Sequence, residues 1–222
     1  MIEWVYRAAE KANKINKTIV ATDHEAISNA VKDFGGYVCL TDPLLPSGTD
    51  RVNAAIQNEQ ADVIINLQGD EPFIVSELLN QLAELFTNPA IEIATPIRII
   101  DDQDELHNPN IVKVIRDQKD RALYFSRTVI PYLREKNTGA NWIQYHTYYK
   151  HIGIYAYRKL CLQKLTELPQ SKLEKAEQLE QLRFLENGYK IHTLLTEYDS
   201  VSVDTEEDLK KVNELALKNR LS

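Results

Sequence analysis

The sequence predicts an α/β fold built on an open, mostly parallel sheet with flanking helices, and three observations carry that prediction. Short β-branched runs alternate with amphipathic helical stretches through the first half of the chain. One run, residues 62–67, is almost continuously apolar, which suits a strand covered on both faces. The strand–helix–strand spacing leaves room for the crossovers that parallel pairing needs.

The first element is a helix, because Ile2, Val5, Tyr6, Ala9 and Ala12 fall on one face. Residues 18–22 read as a strand ending at Asp23. A second helix follows with Ala26, Ile27, Ala30, Val31 and Phe34 on one face, closed by Gly35 and Gly36. Residues 37–40 are the next strand, 50–57 a helix, and 62–67 the strand expected to be buried on both faces. A helix over 76–86 precedes a strand at 91–97. Beyond it the text becomes strand-rich: 111–114, 122–125 and 152–157 read as strands, with a polar, aromatic loop over 133–150. Leu173, Ala176, Leu179, Leu182 and Leu185 line one helix, and 191–195 is a strand. A last helix starts after Asp204 and Thr205, with Glu206 and Glu207 in its first turn, where acids suit the helix dipole. A single domain over 1–222 is expected, with a smaller strand-rich part over 110–157.

With 222 residues, 43% hydrophobic and 27% charged, the chain has material for a globular core. Its net charge is −7 and no Lys/Arg cluster stands out, so nucleic acid is not expected as a partner. The apolar runs are too short to span a bilayer, and the N-terminal text has Glu3 and no basic lead into an apolar stretch. Neither a membrane span nor a signal peptide is expected. Cys39 and Cys161 sit in apolar, strand-like text and read as free thiols of a cytoplasmic protein.

The sharpest motif is Gln68-Gly69-Asp70-Glu71-Pro72, directly after the apolar strand. Gly69 lets the backbone turn closely, and Asp70 then projects a carboxylate into the crevice where open α/β sheets bind ligands. An isolated strand-end Asp is more often a helix cap; the surrounding pentad reverses that and favours a metal ligand. The second motif runs from Val203 to Leu209. There Asp204 or Thr205 caps a helix, while the functional reading makes Asp204 a second carboxylate on the same cation. Two separated carboxylates with no His or Cys nearby suit Mg²⁺ better than zinc. Ser47-Gly48-Thr49-Asp50, taken alone, is a helix entrance.

Together these segments carry a resemblance. Q-G-D-E-P, S-G-T-D-R at 47–51, A-T-D at 21–23, N-P-N at 108–110 with V-K-V at 112–114, and A-L-Y-F-S-R at 122–127 resemble the 3-deoxy-manno-octulosonate cytidylyltransferases, or CMP-Kdo synthetases. H-I-G-I-Y at 151–155, L-E-Q-L-R at 179–183 and V-D-T-x-E-D-L at 203–209 continue it in order over essentially the whole chain. The resemblance implies a Rossmann-like nucleotidyltransferase fold. It also implies a reaction in which the anomeric hydroxyl of the acid sugar attacks the α-phosphate of CTP, releasing pyrophosphate. It implies Asp70 and Asp204 as catalytic residues holding Mg²⁺. Thr22, Asp23, Ser47, Gly48, Thr49, Arg51 and Gln68 fall in the nucleotide segments. Tyr124, Arg127, His151, Tyr155, Glu180 and Gln181 fall in the sugar segments, with Arg127 able to offer a planar fork to the sugar carboxylate. The family is usually homodimeric, and 110–157 is the expected contact.

The family pattern begins with a strand and a loop of the form A-R-x-x-S-x-R-x-P-x-K, whose cations meet the triphosphate; the 222 residues contain no copy of it. Two accounts are open: a gene start placed too late, or a shortened form of low activity. Two functional alternatives also stand. One is a same-fold enzyme for another acid sugar such as a sialic acid; the other is a catalytically impaired relative that only binds nucleotide or a partner.

Overall fold

The computed structural model describes residues 1–136, 140–199, 203, 205–206, 208–210 and 212–214. In chain order its elements are α1 (Ile2–Glu10), β1 (Val20–Thr22), α2 (Glu25–Asp33), β2 (Val38–Leu40), α3 (Gly48–Ala55), β3 (Val63–Asn66), α4 (Ser76–Leu85), β4 (Ile93–Ile99) and α5 (Gln103–His107). These are followed by β5 (Lys113–Arg116), β6 (Ala122–Ser126), a 3₁₀ turn at Trp142–Gln144, β7 (Tyr149–His151), β8 (Tyr155–Arg158), α6 (Lys159–Thr166), α7 (Lys172–Glu177), α8 (Gln181–Glu186) and β9 (Ile191–Leu195). The chain forms two compact units, one of Met1–Gln60, Asn66–Ala83 and Tyr198–Ser222, the other of Ala61–Ile65 and Glu84–Glu197.

In the first unit, β1 and β2 pair in parallel, Val20 opposite Val38 and Thr22 opposite Leu40. Helix α1 buries Val5, Tyr6 and Ala9, the face its periodicity predicts. The Tyr37 N–H donates to the Tyr6 hydroxyl at 3.1 Å, and Arg7 donates to the Phe34 carbonyl at 2.8 Å, tying α1 to the corner between α2 and β2. Gly36 is required there, since a Cβ would lie 2.5 Å from Phe34 Cε2. Helix α2 departs from expectation. It buries Ser28 and Val31, while Ala26, Ile27 and Ala30 are exposed. Two strands of three residues offer only a narrow surface, and a narrow surface covers one i, i+3 stripe rather than a broad face.

The second unit corrects the expected sheet. Its seven strands run in the order β3-β8-β4-β7-β5-β6, with β9 also on β4. β4 pairs antiparallel with β7 and β8, and β5 pairs antiparallel with β6 and β7. The β4–β9 pair is parallel, Ile93 opposite Ile191 through Ile97 opposite Leu195. The main sheet is therefore mixed rather than mostly parallel. The strand covered on both faces is β4, buried from Ile93 to Ile97, whereas β3 at the end of the order alternates half-buried and buried residues. The stretch 152–157 is not one strand: β7 and β8 lie along one edge of β4, separated by a kink in which the Ile154 N–H reaches the Ile152 carbonyl at 2.7 Å.

The helix expected around 173–185 is also two. Ser171 and Glu174 form a capping box that starts α7, and Gln178, at φ 53° and ψ 48°, ends it in the left-handed region. Leucines on both pieces sustained the apolar period across the break. Thr205 caps the final helical segment: its Oγ1 accepts the Asp208 N–H at 3.2 Å, and Asp208 Oδ2 accepts the Thr205 N–H at 3.1 Å. Among the described residues, no helix is long and apolar enough to cross a membrane.

Candidate active site

The described residues expected to hold nucleotide or metal, Thr22, Asp23, Ser47, Gly48, Thr49, Arg51, Gln68 and Asp70, belong to the first unit. Ser47 is the N-cap of α3, its Oγ accepting the Asp50 N–H at 3.1 Å and donating to Asp50 Oδ2 at 2.6 Å, so the helix-entrance reading of S-G-T-D is what the backbone shows. That cap launches Arg51 back toward the ends of β1 and β2. Its guanidinium donates to Asp23 Oδ2 at 2.9 Å and to Thr41 Oγ1, while the Thr41 N–H donates to the Thr22 carbonyl at 2.9 Å. A-T-D and S-G-T-D-R thus meet in one place. Thr22 and Thr49 are buried, Gly48 is exposed with open space where a Cβ would sit, and Asp23 is exposed.

In the turn after β3, Gln68 and Gly69 are exposed and Asp70 is half-buried. Gly69 is outside the left-handed region, and an added Cβ would lie 3.2 Å from Ile2 Cδ1, the tip of a side chain that can shift. Two bonds dock the end of the described chain onto this turn. The Val203 N–H donates to the Asp70 carbonyl at 3.1 Å, and the Tyr198 hydroxyl donates to Glu71 Oε2 at 3.0 Å. Burial and the Glu71 carboxylate push the Tyr198 phenol far up, so it remains a donor. Asp204 lies outside the described residues; its neighbour Val203 is the residue held at Asp70. Among the described residues, no group of three or more His, Cys, Asp and Glu is arranged to hold a metal.

The residues expected to meet the sugar belong to the second unit. His151, at the end of β7, packs edge-on against Phe125 at 5.2 Å and tilted against Tyr155 at 5.2 Å, and Tyr155 stacks on Tyr157 at 5.7 Å. Burial pushes the His151 imidazole down to about 3, so it is neutral at physiological pH. Burial raises the Tyr155 phenol well above its usual value, and the neighbouring Tyr157 and Glu180 add to it, which marks Glu180 as close by. Glu180 accepts from Arg183 at 3.0 Å, and Gln181 is buried beside it.

Arg127 is differently employed. Its Nε donates to the Glu177 carbonyl at 2.8 Å, Nη1 to the Pro109 carbonyl at 3.1 Å and Nη2 to the Gln178 carbonyl at 3.4 Å. Three of its five N–H groups thus clamp the α7 corner, and each terminal nitrogen keeps a second N–H. Glu177 completes the clamp by accepting from Ser126 Oγ at 2.7 Å and from the Arg127 N–H at 2.9 Å. Burial, then Glu177 and Glu186, raises the half-buried Tyr124 phenol.

Several residues of this region were not singled out by the sequence. Lys113, of V-K-V, is fully buried and donates to the Asn108 and Ile111 carbonyls; burial and the nearby Arg127 bring its ammonium down to about 8. Arg183, of L-E-Q-L-R, is buried and also donates to Glu174 at 3.0 Å and to the Leu168 carbonyl at 2.9 Å. Motif membership was a signal for both. Thr95 had none. A cavity of about 430 Å³ opens against β5 and β7, lined by Arg116, Pro131, His146 and Tyr149 among others, and holds no candidate residue.

The cytidylyltransferase family model matches residues 1–191. The 3-deoxy-manno-octulosonate cytidylyltransferase of Cytophaga hutchinsonii is 48% identical over 96% of this chain and 85% of its own length. That of Parabacteroides distasonis is 48% identical over 95% and 85%. A solved CMP:2-keto-3-deoxy-manno-octonic acid synthetase complexed with CTP superposes with a TM-score of 0.90, at 37% identity, over 98% of this chain and 88% of that one.

Proposed function

Because the chain belongs to the cytidylyltransferases, and among them to the 3-deoxy-manno-octulosonate cytidylyltransferases, we propose that it transfers CMP from CTP to 3-deoxy-manno-octulosonate, giving CMP-Kdo and pyrophosphate for lipopolysaccharide biosynthesis. One observation carries this reading: relatives of that activity match nearly the whole chain, through both compact units, at 48% identity.

The geometry supports a division of labour. Arg51, held by Asp23 and Thr41, orders the polar loop that would meet cytidine, with Ser47, Gly48, Thr49, Thr22 and Gln68 around it. His151, Tyr155, Glu180 and Gln181 would orient the sugar, His151 and Tyr155 supplying neutral polar groups. The Arg127 clamp fixes the strand end behind them. Asp70 and Asp204 would hold Mg²⁺, an arrangement supported by the bond that keeps Val203 on the Asp70 carbonyl. When bound, the ion supplies charge neutralisation at phosphate and a lower pKa at the attacking hydroxyl. The protein itself supplies position, the main requirement for a nucleotidyl group.

We also read the protein as a cytoplasmic homodimer. Two free thiols suit the compartment, and exposed Leu123, Tyr132 and Tyr145 support a contact within 110–157. The test of function is a product assay with CTP, Mg²⁺ and either 3-deoxy-manno-octulosonate or a sialic acid. Pyrophosphate and CMP-sugar should form with the first. Faster turnover of the sialic acid would reassign the substrate, and CTP binding without turnover of either would identify an impaired relative.

A further inference from the structure

The kink between β7 and β8 is closed by one side chain of β4. Thr95 is fully buried, and its Oγ1 lies 2.7 Å from the Ile154 carbonyl, 3.2 Å from the Ile152 carbonyl and 3.0 Å from His151 Nε2. A hydroxyl has one proton and two lone pairs, and a carbonyl oxygen can only accept. Two oxygens at 2.7 Å need a proton between them, so the Thr95 proton is committed to the kink. The oxygen therefore turns a lone pair toward His151, and the proton of that contact must come from the imidazole. From this geometry we propose that Thr95 is a positioning residue that fixes His151 as the Nε2–H tautomer, so that Nδ1 accepts a hydrogen bond from a hydroxyl of the acid sugar.

The proposal rests on the reading of His151 as a sugar-site residue and sharpens it. A neutral imidazole with an unprotonated Nδ1 takes a hydroxyl donor and does not pair with the sugar's carboxylate. Among the described residues, its ring meets Thr95 of β4, Phe125 of β6 and Tyr155 of β8, none of them charged near neutrality. Its strong downward shift, caused by burial alone, agrees with a ring that never carries two protons in the working range.

The test is a nitrogen-15 spectrum of the histidine-labelled full chain, which distinguishes a protonated from an unprotonated ring nitrogen. His151 should show a protonated Nε2 and an unprotonated Nδ1, constant from about pH 6 to 8, the range in which an ordinary histidine titrates. Addition of 3-deoxy-manno-octulosonate should move the Nδ1 signal. Thr95→Val should weaken that binding about 10-fold, and Thr95→Ser should retain it, the size expected for one hydrogen bond. An Nδ1–H tautomer or a doubly protonated ring in the free protein overturns the proposal while leaving the sugar site standing. If His151→Ala binds the acid sugar as tightly as the parent, the sugar reading of His151 falls, and the proposal with it.

Discussion

In the first unit Asp23, Gln68 and Gly69 face solvent and Asp70 is only half-buried; in the second Tyr155 and Gln181 are buried, and Arg127 already spends its guanidinium on three carbonyls. The difference separates two ways of building a site. Groups at the tips of short strands leave ordering to the ligand, and binding must overcome that entropy. Groups knitted into a mixed sheet are oriented in advance, and their removal is felt by the fold as well as by the substrate. Substitutions in the first unit should therefore change activity with little change in stability, and those in the second should change both.

The largest expected effect tests the first half of that contrast. Asp70→Asn should lower Mg²⁺-dependent turnover at least ~100-fold, the scale of losing one electrostatic transition-state contact, with an unchanged unfolding midpoint. Unchanged kinetics would remove Asp70 from the metal site. Arg183→Met tests the other half. It removes the partner of buried Glu174 and should reduce unfolding free energy by about 3 kcal/mol in urea titrations; a change below ~1 kcal/mol would show that the network does not hold the second unit. Smaller again, Arg51→Met should raise KM for CTP about 10-fold through loss of the Asp23 and Thr41 contacts. It should cost less than about 1 kcal/mol of stability, because its ion pair is partly exposed.

The subtlest comparison concerns pH. Lys113 holds its proton to about 8 when folded, against 10.5 for an ordinary lysine. Below the lower value both states carry the charge and the burial penalty is fully felt. Between the two values the unfolded chain binds more protons, so stability rises with pH. Relative to Lys113→Met, the parent should gain urea midpoint as pH rises above about 8; a flat difference would break the assignment.

Much of this was legible in the sequence because it is local. Strand 191–195 agrees with β9, the entrance at Ser47 caps α3, and Thr205 caps the last helical segment, since each depends on residues within one turn. The sheet's mixed character was not legible. Which edge of β4 receives β7, β8 and β9 is decided by pairings across the sheet, and the apolar run at 62–67 looks the same whether its strand is central or at an end. Thr95 was invisible for the same reason: its histidine partner is 56 residues away. Arg127 was read for its capacity as a fork; its bonds to the Glu177, Pro109 and Gln178 carbonyls were not legible, since they span 18 to 51 residues. Of the expected metal pair, Asp70 stands in the turn after β3 and Asp204 lies outside the described residues.

β4 is bonded to β7 and β8 along one edge and to β9 along the other. Its amides are bonded along both edges, so they should be among the slowest of the second unit to exchange with deuterated solvent. Thr95 rides on that strand. In the proposed arrangement, the orientation that Thr95 gives His151 is then as lasting as this slowly exchanging strand.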